Sequence, residues 1–384
     1  MTRVMLSCGE ASGDLYAGAL VEALQAREPD IDVFGLGGPK FAAAGGRLVG
    51  DFRGLSVTGL TEALRVLPET WAMYRTLVDA ARAERPGALV LIDYPDFNFR
   101  LMAAVRRLGV PIVYYVSPQL WAWRRGRIRT MKAVVDRVLP IFPFEPAIYE
   151  REGMDVRFVG HPLVDLAVAR QPRGTFLAAA GLDPGRPVVA LLPGSRVNEL
   201  HRLVPVLAAA VPRIASAVPG TQFVVARAPN LADALFAPFQ GVGAQVALVE
   251  GQTDDVLAAA DIVLTASGTA TVQAALHERP MVVVYKLSPL TYRIGKPLVR
   301  VEMFSMVNLV AGERVVPELI QDGCTPEAIA AEAVSLLTDP GRAARMREEL
   351  AVVRERLGGP GASGRAADAV LEIAHRSEAP VNAR

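Results

Sequence analysis

The chain follows one rhythm twice over: a short, unbroken apolar run, then a stretch with helical spacing, then another run. In the first half the runs are RVMLS (3–7), IDVFGL (31–36), ALVLID (88–93), PIVYYVS (111–117), RVLPIF (137–142) and VRFVG (156–160). Patterns such as AGALVEALQARE and FRLMAAVRRLG lie between them. A strand that is apolar throughout needs cover on both faces, and intervening helices supply it around a parallel sheet. After a loop-rich connector at 161–187 the rhythm restarts with PVVALL (187–192), TQFVVAR (221–227), AQVALVE (244–250), DIVLTAS (261–267) and PMVVVYK (280–286). The sequence therefore predicts an α/β chain with two doubly wound, Rossmann-like parallel-sheet domains, 1–170 and 171–340. A helical tail over 341–384 either crosses back to the first domain or exchanges with a partner chain in a homodimer. A length of 384 residues agrees, being too long for one ordinary core.

Composition removes several function classes. The net charge is +1, so there is no global basic field of the kind that holds nucleic acid. Cys8 and Cys324 are far apart and form no disulfide framework or metal spacing, and His161, His201, His277 and His375 are scattered. The N-terminal MTRVMLSCGEASGD has too short an apolar stretch for a secretory signal, with Glu10 and Asp14 interrupting it. No apolar run reaches eighteen residues, so no helix is expected to span a bilayer. The expected location is the cytoplasm, in contact with a membrane surface at most.

In doubly wound folds ligands sit where strands end and helices begin. PVVALLPGSRVNEL leaves a strand into Pro193, Gly194, Ser195 and Arg196, offering close backbone approach, a hydroxyl and a guanidinium clamp for phosphate. DIVLTASGTATVQAAL leaves another into Ser267, Gly268, Thr269, Ala270 and Thr271, small residues at a helix start whose N–H groups suit an anion. Either loop alone could be a simple capped turn; together they point to a phosphate or nucleotide site. Neither is a Walker loop, because the lysine is missing. GLGGPKFAAAG (35–45) comes nearest to a dinucleotide fingerprint, but Lys40 stands at its third glycine position.

LIDYPDFN ends a strand on Asp93, followed by Asp96 and Asn98. A carboxylate there suits a general base for a hydroxyl, although Asp93 could equally cap the next helix, as could Asp96 or Asn98; function is the favoured reading for Asp93 and capping for Asn98. Asp30 and Asp32 form the one Asp-x-Asp pair and read as a solvated turn, so neither metal nor cofactor is expected. LWAWRRGRIR (120–129) sets Trp121 and Trp123 against Arg124, Arg125, Arg127 and Arg129, which suits a phosphorylated amphiphile better than nucleic acid. Over 60–80, Leu60, Leu64, Leu67, Trp71, Tyr74 and Leu77 make one helical stripe; core packing is the favoured reading and membrane contact the alternative.

GEASGD (9–14), IDYPDFN (92–98), YVSPQLWAWRRGRI (115–128), LLPGSR (191–196), ASGTAT (266–271), and NLVAG and PELIQ within 308–321 together resemble the lipid-A-disaccharide synthase family, in order over nearly the whole chain. The resemblance implies a GT-B glycosyltransferase fold, two Rossmann-like domains facing a central cleft. It implies an inverting, metal-independent transfer from UDP-2,3-diacylglucosamine to 2,3-diacylglucosamine 1-phosphate (lipid X), giving a β(1→6) disaccharide and UDP. It assigns Asp93 as base. Gly194, Ser195, Arg196, Ser267, Gly268, Thr269, Ala270, Gln273 and Asn308 fall to the donor. Ser12, Asp14, Trp121, Trp123, Arg124 and Arg125 fall to the acceptor or the inner-membrane surface. Gln273 departs from the glutamate that usually meets the ribose in such folds, which puts its ribose contact in doubt.

Overall fold

The computed structural model describes residues 1–54, 60–120, 126–229, 231–287 and 303–378, with side chains left aside at 54–66 and 377–378. The chain forms two compact units, Met1–Pro162 with Leu357–Arg384, and Leu163–Arg356.

In the first unit the strands are β1 (Arg3–Cys8), β2 (Asp32–Gly37), β3 (Arg47–Asp51), β4 (Ala88–Ile92), β5 (Ile112–Tyr115) and β6 (Arg137–Leu139). They pair in parallel in the order β3-β2-β1-β4-β5-β6. β4 is buried at every position and β1 at all but its first, as continuous apolar strands under helices must be. The helices that matter below are α1 (Ala11–Gln25), α2 (Pro39–Ala43), α3 (Leu60–Glu84) and α4 (Pro95–Arg106).

The second unit repeats the plan with β7 (Val188–Leu192), β8 (Gln222–Arg227), β9 (Val246–Glu250), β10 (Ile262–Ala266), β11 (Met281–Tyr285) and β12 (Glu318–Ile320), ordered β12-β11-β10-β7-β8-β9. Its helices include α5 (Val197–Ala217), α6 (Thr253–Ala259), α7 (Thr269–Leu276), α8 (Met306–Ala311), α9 (Pro326–Thr338) and α10 (Pro340–Arg356). The last helix, α11 (Ala362–Glu378), belongs to the first unit. Buried Arg137 ties it down, reaching Glu372 at 2.7 Å while also meeting Asp155 at 2.9 Å. Beside it, the outgoing and returning chains are bonded to each other, His161 N–H donating to the Leu357 carbonyl at 2.8 Å.

Two expected strands changed. VRFVG forms no strand, only an isolated bridge from Val156 to Val138. RVLPIF stops at Leu139, because Pro140 has no N–H to continue the ladder. β3 and β12 were not foreseen.

Candidate functional site

Each sheet reverses its winding direction once, between β1 and β4 in the first unit and between β7 and β10 in the second. The crevice outside the strand ends at such a point is where doubly wound folds bind ligands.

At the first reversal the backbone is strained. Asp93 and Tyr94, the two residues after β4, both have left-handed φ values of 45° and 48°, and Val116 after β5 has 55°. Such conformations cost on the order of 1–3 kcal/mol each and persist only where neighbours enforce them. The enforcers are visible. The Asp93 carbonyl accepts from Asn98 Nδ2 at 2.7 Å and from the Tyr114 hydroxyl at 2.9 Å, while Asp93 N–H donates to the Val116 carbonyl at 3.2 Å. Asn98 Oδ1 in turn accepts from Ser7 Oγ at 2.7 Å. The effect is to stand Asp93 half-buried at the strand end. Tyr16 lies close: its hydroxyl is pushed well above its usual value by burial, with Tyr115 and Asp93 adding to the effect.

Asn98 was expected to cap a helix, and it does not. Tyr94 occupies the cap position of α4 with no side-chain cap bond, and Asn98 lies inside the helix, wholly buried. The left-handed pair moves the helix start forward and turns Asn98 into a clamp on the β4 turn. Across the crevice, a Cβ added to Gly9 would lie 2.1 Å from Cγ of Tyr94, so the loop after β1 accepts only glycine against that ring.

Ser12 is half-buried in the first turn of α1. Asp14 is buried, and its carboxylate accepts from the backbone N–H groups of Gly38 (2.8 Å), Lys40 (2.9 Å) and Phe41 (3.0 Å). The stretch that came nearest to a dinucleotide fingerprint thus spends its N–H groups on an internal carboxylate. Both carboxylate oxygens of Asp14 are thereby engaged in holding that loop.

Trp121, Trp123, Arg124 and Arg125 lie outside the described residues. Arg127 is not available as an isolated charge: it pairs with Asp96 at 2.8 Å and lies over the Phe99 ring at 5.1 Å. The stripe on α3 divides. Leu77 is fully buried, as the core reading expected, and Tyr74 is half-buried, but Leu67 and Trp71 are 52% and 56% exposed. Trp71 rests on Tyr74, ring centroids 5.0 Å apart. The side chains of Leu60 and Leu64 are not described.

At the second reversal the two foreseen loops are brought side by side on neighbouring strands. After β7, Gly194 has φ 114° and Arg196 takes the cap position of α5. Glu199, which sequence reasoning missed, organises this turn: it accepts from Ser195 N–H at 3.3 Å and from Arg196 Nη1 at 3.2 Å. An acid in the first turn of a helix is an ordinary dipole partner, and that ordinariness hid it. After β10, Gly268 has φ 141° and opens α7 with no side-chain cap, leaving Thr269 exposed and Ala270 half-buried at the helix start. A Cβ on Gly268 would meet nothing within 4 Å, so the approach is open. Ser267 is turned inward, Oγ donating to the Phe304 carbonyl at 3.1 Å.

Asn308 lies inside the fold of the second unit. It is wholly buried in α8, its Oδ1 accepting from Val315 and Val316 N–H, its Nδ2 donating to Val316 O and to Glu318 at 2.9 Å. Glu318 also accepts from Phe304 and Ser305 N–H, so Asn308 holds the segment on which Ser267 rests. Gln273, on the second turn of α7, donates to Asp254 at 3.2 Å.

Among the described residues no group of three or more His, Cys, Asp or Glu is placed to hold a metal, and no helix is long and apolar enough to cross a membrane.

The sequence profile described as Lipid-A-disaccharide synthetase matches residues 4–372. The lipid-A-disaccharide synthase of Myxococcus xanthus is 44% identical over 372 residues, and that of Geobacter metallireducens 45% over 372, each match covering 97% of both chains. Among solved structures, UDP-GlcNAc 2-epimerase from Neisseria meningitidis bound to UDP-GlcNAc is similar at TM-score 0.71 and 13% identity, covering 97% of this chain and 100% of that one. The calicheamicin glycosyltransferase CalG4 is similar at TM-score 0.59 and 18% identity, covering 99% and 100%. These distant likenesses establish a shared two-domain α/β fold, the GT-B arrangement of glycosyltransferases.

Proposed function

The chain belongs to the lipid-A-disaccharide synthase family, glycosyltransferases of lipid A disaccharide synthesis, and from that premise we propose the following reaction in detail. The donor is UDP-2,3-diacylglucosamine and the acceptor is 2,3-diacylglucosamine 1-phosphate. The acceptor's 6-hydroxyl oxygen attacks the anomeric carbon of the donor from the face opposite UDP, giving the β(1→6) bond with inversion. Its proton passes to the Asp93 carboxylate as the bond to the diphosphate breaks and UDP departs.

The observation that carries this reading is the constraint on Asp93. Two successive left-handed residues are fixed by Asn98 and Tyr114 at the reversal point of the first sheet. Strain of that kind collects at functional positions. On the donor side, negative charge grows on the leaving diphosphate, and the groups suited to meet it are Arg196 and the N–H groups at 194–196 and 268–270. The same reading places the chain at the cytoplasmic face of the inner membrane as a peripheral protein, because both substrates are phosphorylated amphiphiles. The segment with Trp121, Trp123, Arg124 and Arg125 would face that interface. A homodimer fits the reading equally well and is not required by it.

The test is UDP release from the acylated donor in detergent, with and without lipid X, for the native chain and Asp93→Asn. Release should require lipid X and fall about 10²–10⁴-fold in the variant, the usual contribution of a positioned base. Release without acceptor would indicate a hydrolase. Interconversion of the donor sugar without transfer would indicate an epimerase and refute the proposal.

A further inference from the structure

One polar cluster of the second unit stands apart from the loops that suit phosphate. Asp254 lies in the first turn of α6, and a single oxygen of its carboxylate, Oδ1, receives two side chains, one from α7 and one from the residue that caps its C-terminus. Gln273 Nε2 reaches it at 3.2 Å and His277 Nε2 at 3.1 Å. Asp254 and His277 are largely buried, their side chains 24% and 11% exposed, while Gln273 is half-buried.

A primary amide has an accepting end and a donating end of nearly equal size, and the end shown to a ligand depends on what holds the other. An ionised carboxylate only accepts. Asp254 therefore takes the NH₂ end of Gln273 in a charge-assisted bond and turns Oε1 away from itself. His277, donating through Nε2, fixes the carboxylate that does the turning. Gln273 also sits four residues along α7 from Thr269, about 6 Å at the helical rise. A nucleoside diphosphate whose phosphates rest on the N–H groups of 268–270 carries its pentose within that reach.

We propose that Asp254 is a positioning residue for the donor: it orients the Gln273 amide so that Oε1 accepts a hydrogen bond from a pentose hydroxyl of the nucleoside diphosphate. A glutamate at 273 would need no such partner, having no wrong end. The negative charge of this subsite stands one side chain back from the sugar, on the residue that holds the contact. The inference rests on the donor reading given above.

The test measures equilibrium binding of UDP, 2′-deoxy-UDP and 3′-deoxy-UDP to the full chain. The native protein should prefer UDP over at least one deoxy analogue by on the order of tenfold, the scale of one well-placed hydrogen bond. Asp254→Ala and Gln273→Ala should each abolish that preference while leaving the deoxy analogue's affinity unchanged. The double variant should be no weaker than either single one, as for residues acting in series. Gln273→Glu placed on Asp254→Ala should restore the preference. If Asp254→Ala retained the preference, or weakened all three nucleotides alike, Asp254 would have no orienting role. A native chain that binds UDP without hydroxyl preference overturns the inference alone, whereas one that binds no UDP removes the donor reading beneath it.

Discussion

Acid should loosen the first unit through one residue, His161. Its imidazole is buried, edge-on to Tyr16 at 5.9 Å and to Phe142 at 5.3 Å between ring centroids. Burial pulls its pKa from 6.5 down to about 3. The folded group is thus neutral where the unfolded one is charged, so stability is intact above the unfolded value and is lost as pH falls through it toward 3. Linkage gives the size: at pH 5 the unfolded imidazole has gained about 1.5 logarithmic units of proton binding over the folded one, or roughly 2 kcal/mol, against about 0.1 kcal/mol at pH 7.5. Trp71, Trp121 and Trp123 all belong to the first unit, so tryptophan fluorescence in urea follows that unit selectively. His161→Phe keeps an aromatic ring and cannot titrate. Carboxylates elsewhere titrate alike in both proteins and cancel in the difference. The native chain should therefore lose about 2 kcal/mol relative to His161→Phe between pH 7.5 and pH 5. A constant difference would mean that His161 charges inside the fold, and the argument from burial would be wrong.

Other perturbations test the remaining parts. Asp14→Ala strands the buried N–H groups of Gly38 and Phe41 and frees that of exposed Lys40, and should cost about 2 kcal/mol or more in the same urea assay; a loss under 1 kcal/mol would show that water replaces the carboxylate. Gly194→Ala forces a side chain into φ 114° and against the Glu199 carboxylate, so UDP affinity should fall on the order of tenfold and the melting temperature should drop by a few degrees; unchanged UDP binding would show that this turn does not meet the donor. Glu372 is held at a pKa of about 2 by Arg157 and Arg137. Its contribution is present above its usual value of 4.5 and fades as pH drops toward 2, so the stability gap between native and Glu372→Gln should narrow over that window. A gap that stayed level would disprove the ion pair's role.

The sheets were legible where burial was complete on both faces. β7 is an unbroken apolar run, and β10 one interrupted only by buried Thr265, because every residue is covered. β3 was invisible for the opposite reason: it lies at the sheet edge, its Arg47 and Leu48 are exposed, and its pattern is not apolar. β12 is a three-residue edge strand with only half-buried positions. Of the candidate site, the position of the glycine-bearing loops at 194 and 268 could be read, since glycine and small hydroxylated residues after a buried strand mark a strand-to-helix turn. The hydrogen-bonding roles could not. Asn98 and Asn308 look like caps or contacts in a sequence, but both are buried amides that hold other backbone in place. Nothing local in the sequence distinguishes those uses, because their partners lie in other elements or across a turn. Glu199 and Asp254 likewise pass for helix-start acids until their partners are seen.

The close fit of Gly9 against Tyr94 has a consequence for how this protein can vary over time. Two motifs eighty-five residues apart share one space, with Ser7 and Asn98 joined just behind them. A side chain at position 9 is tolerable only if the ring at 94 shrinks or leaves, whereas a smaller residue at 94 clashes with nothing while position 9 stays glycine. The order of change is therefore fixed. Across relatives a side chain at position 9 should appear only where position 94 has already lost its ring.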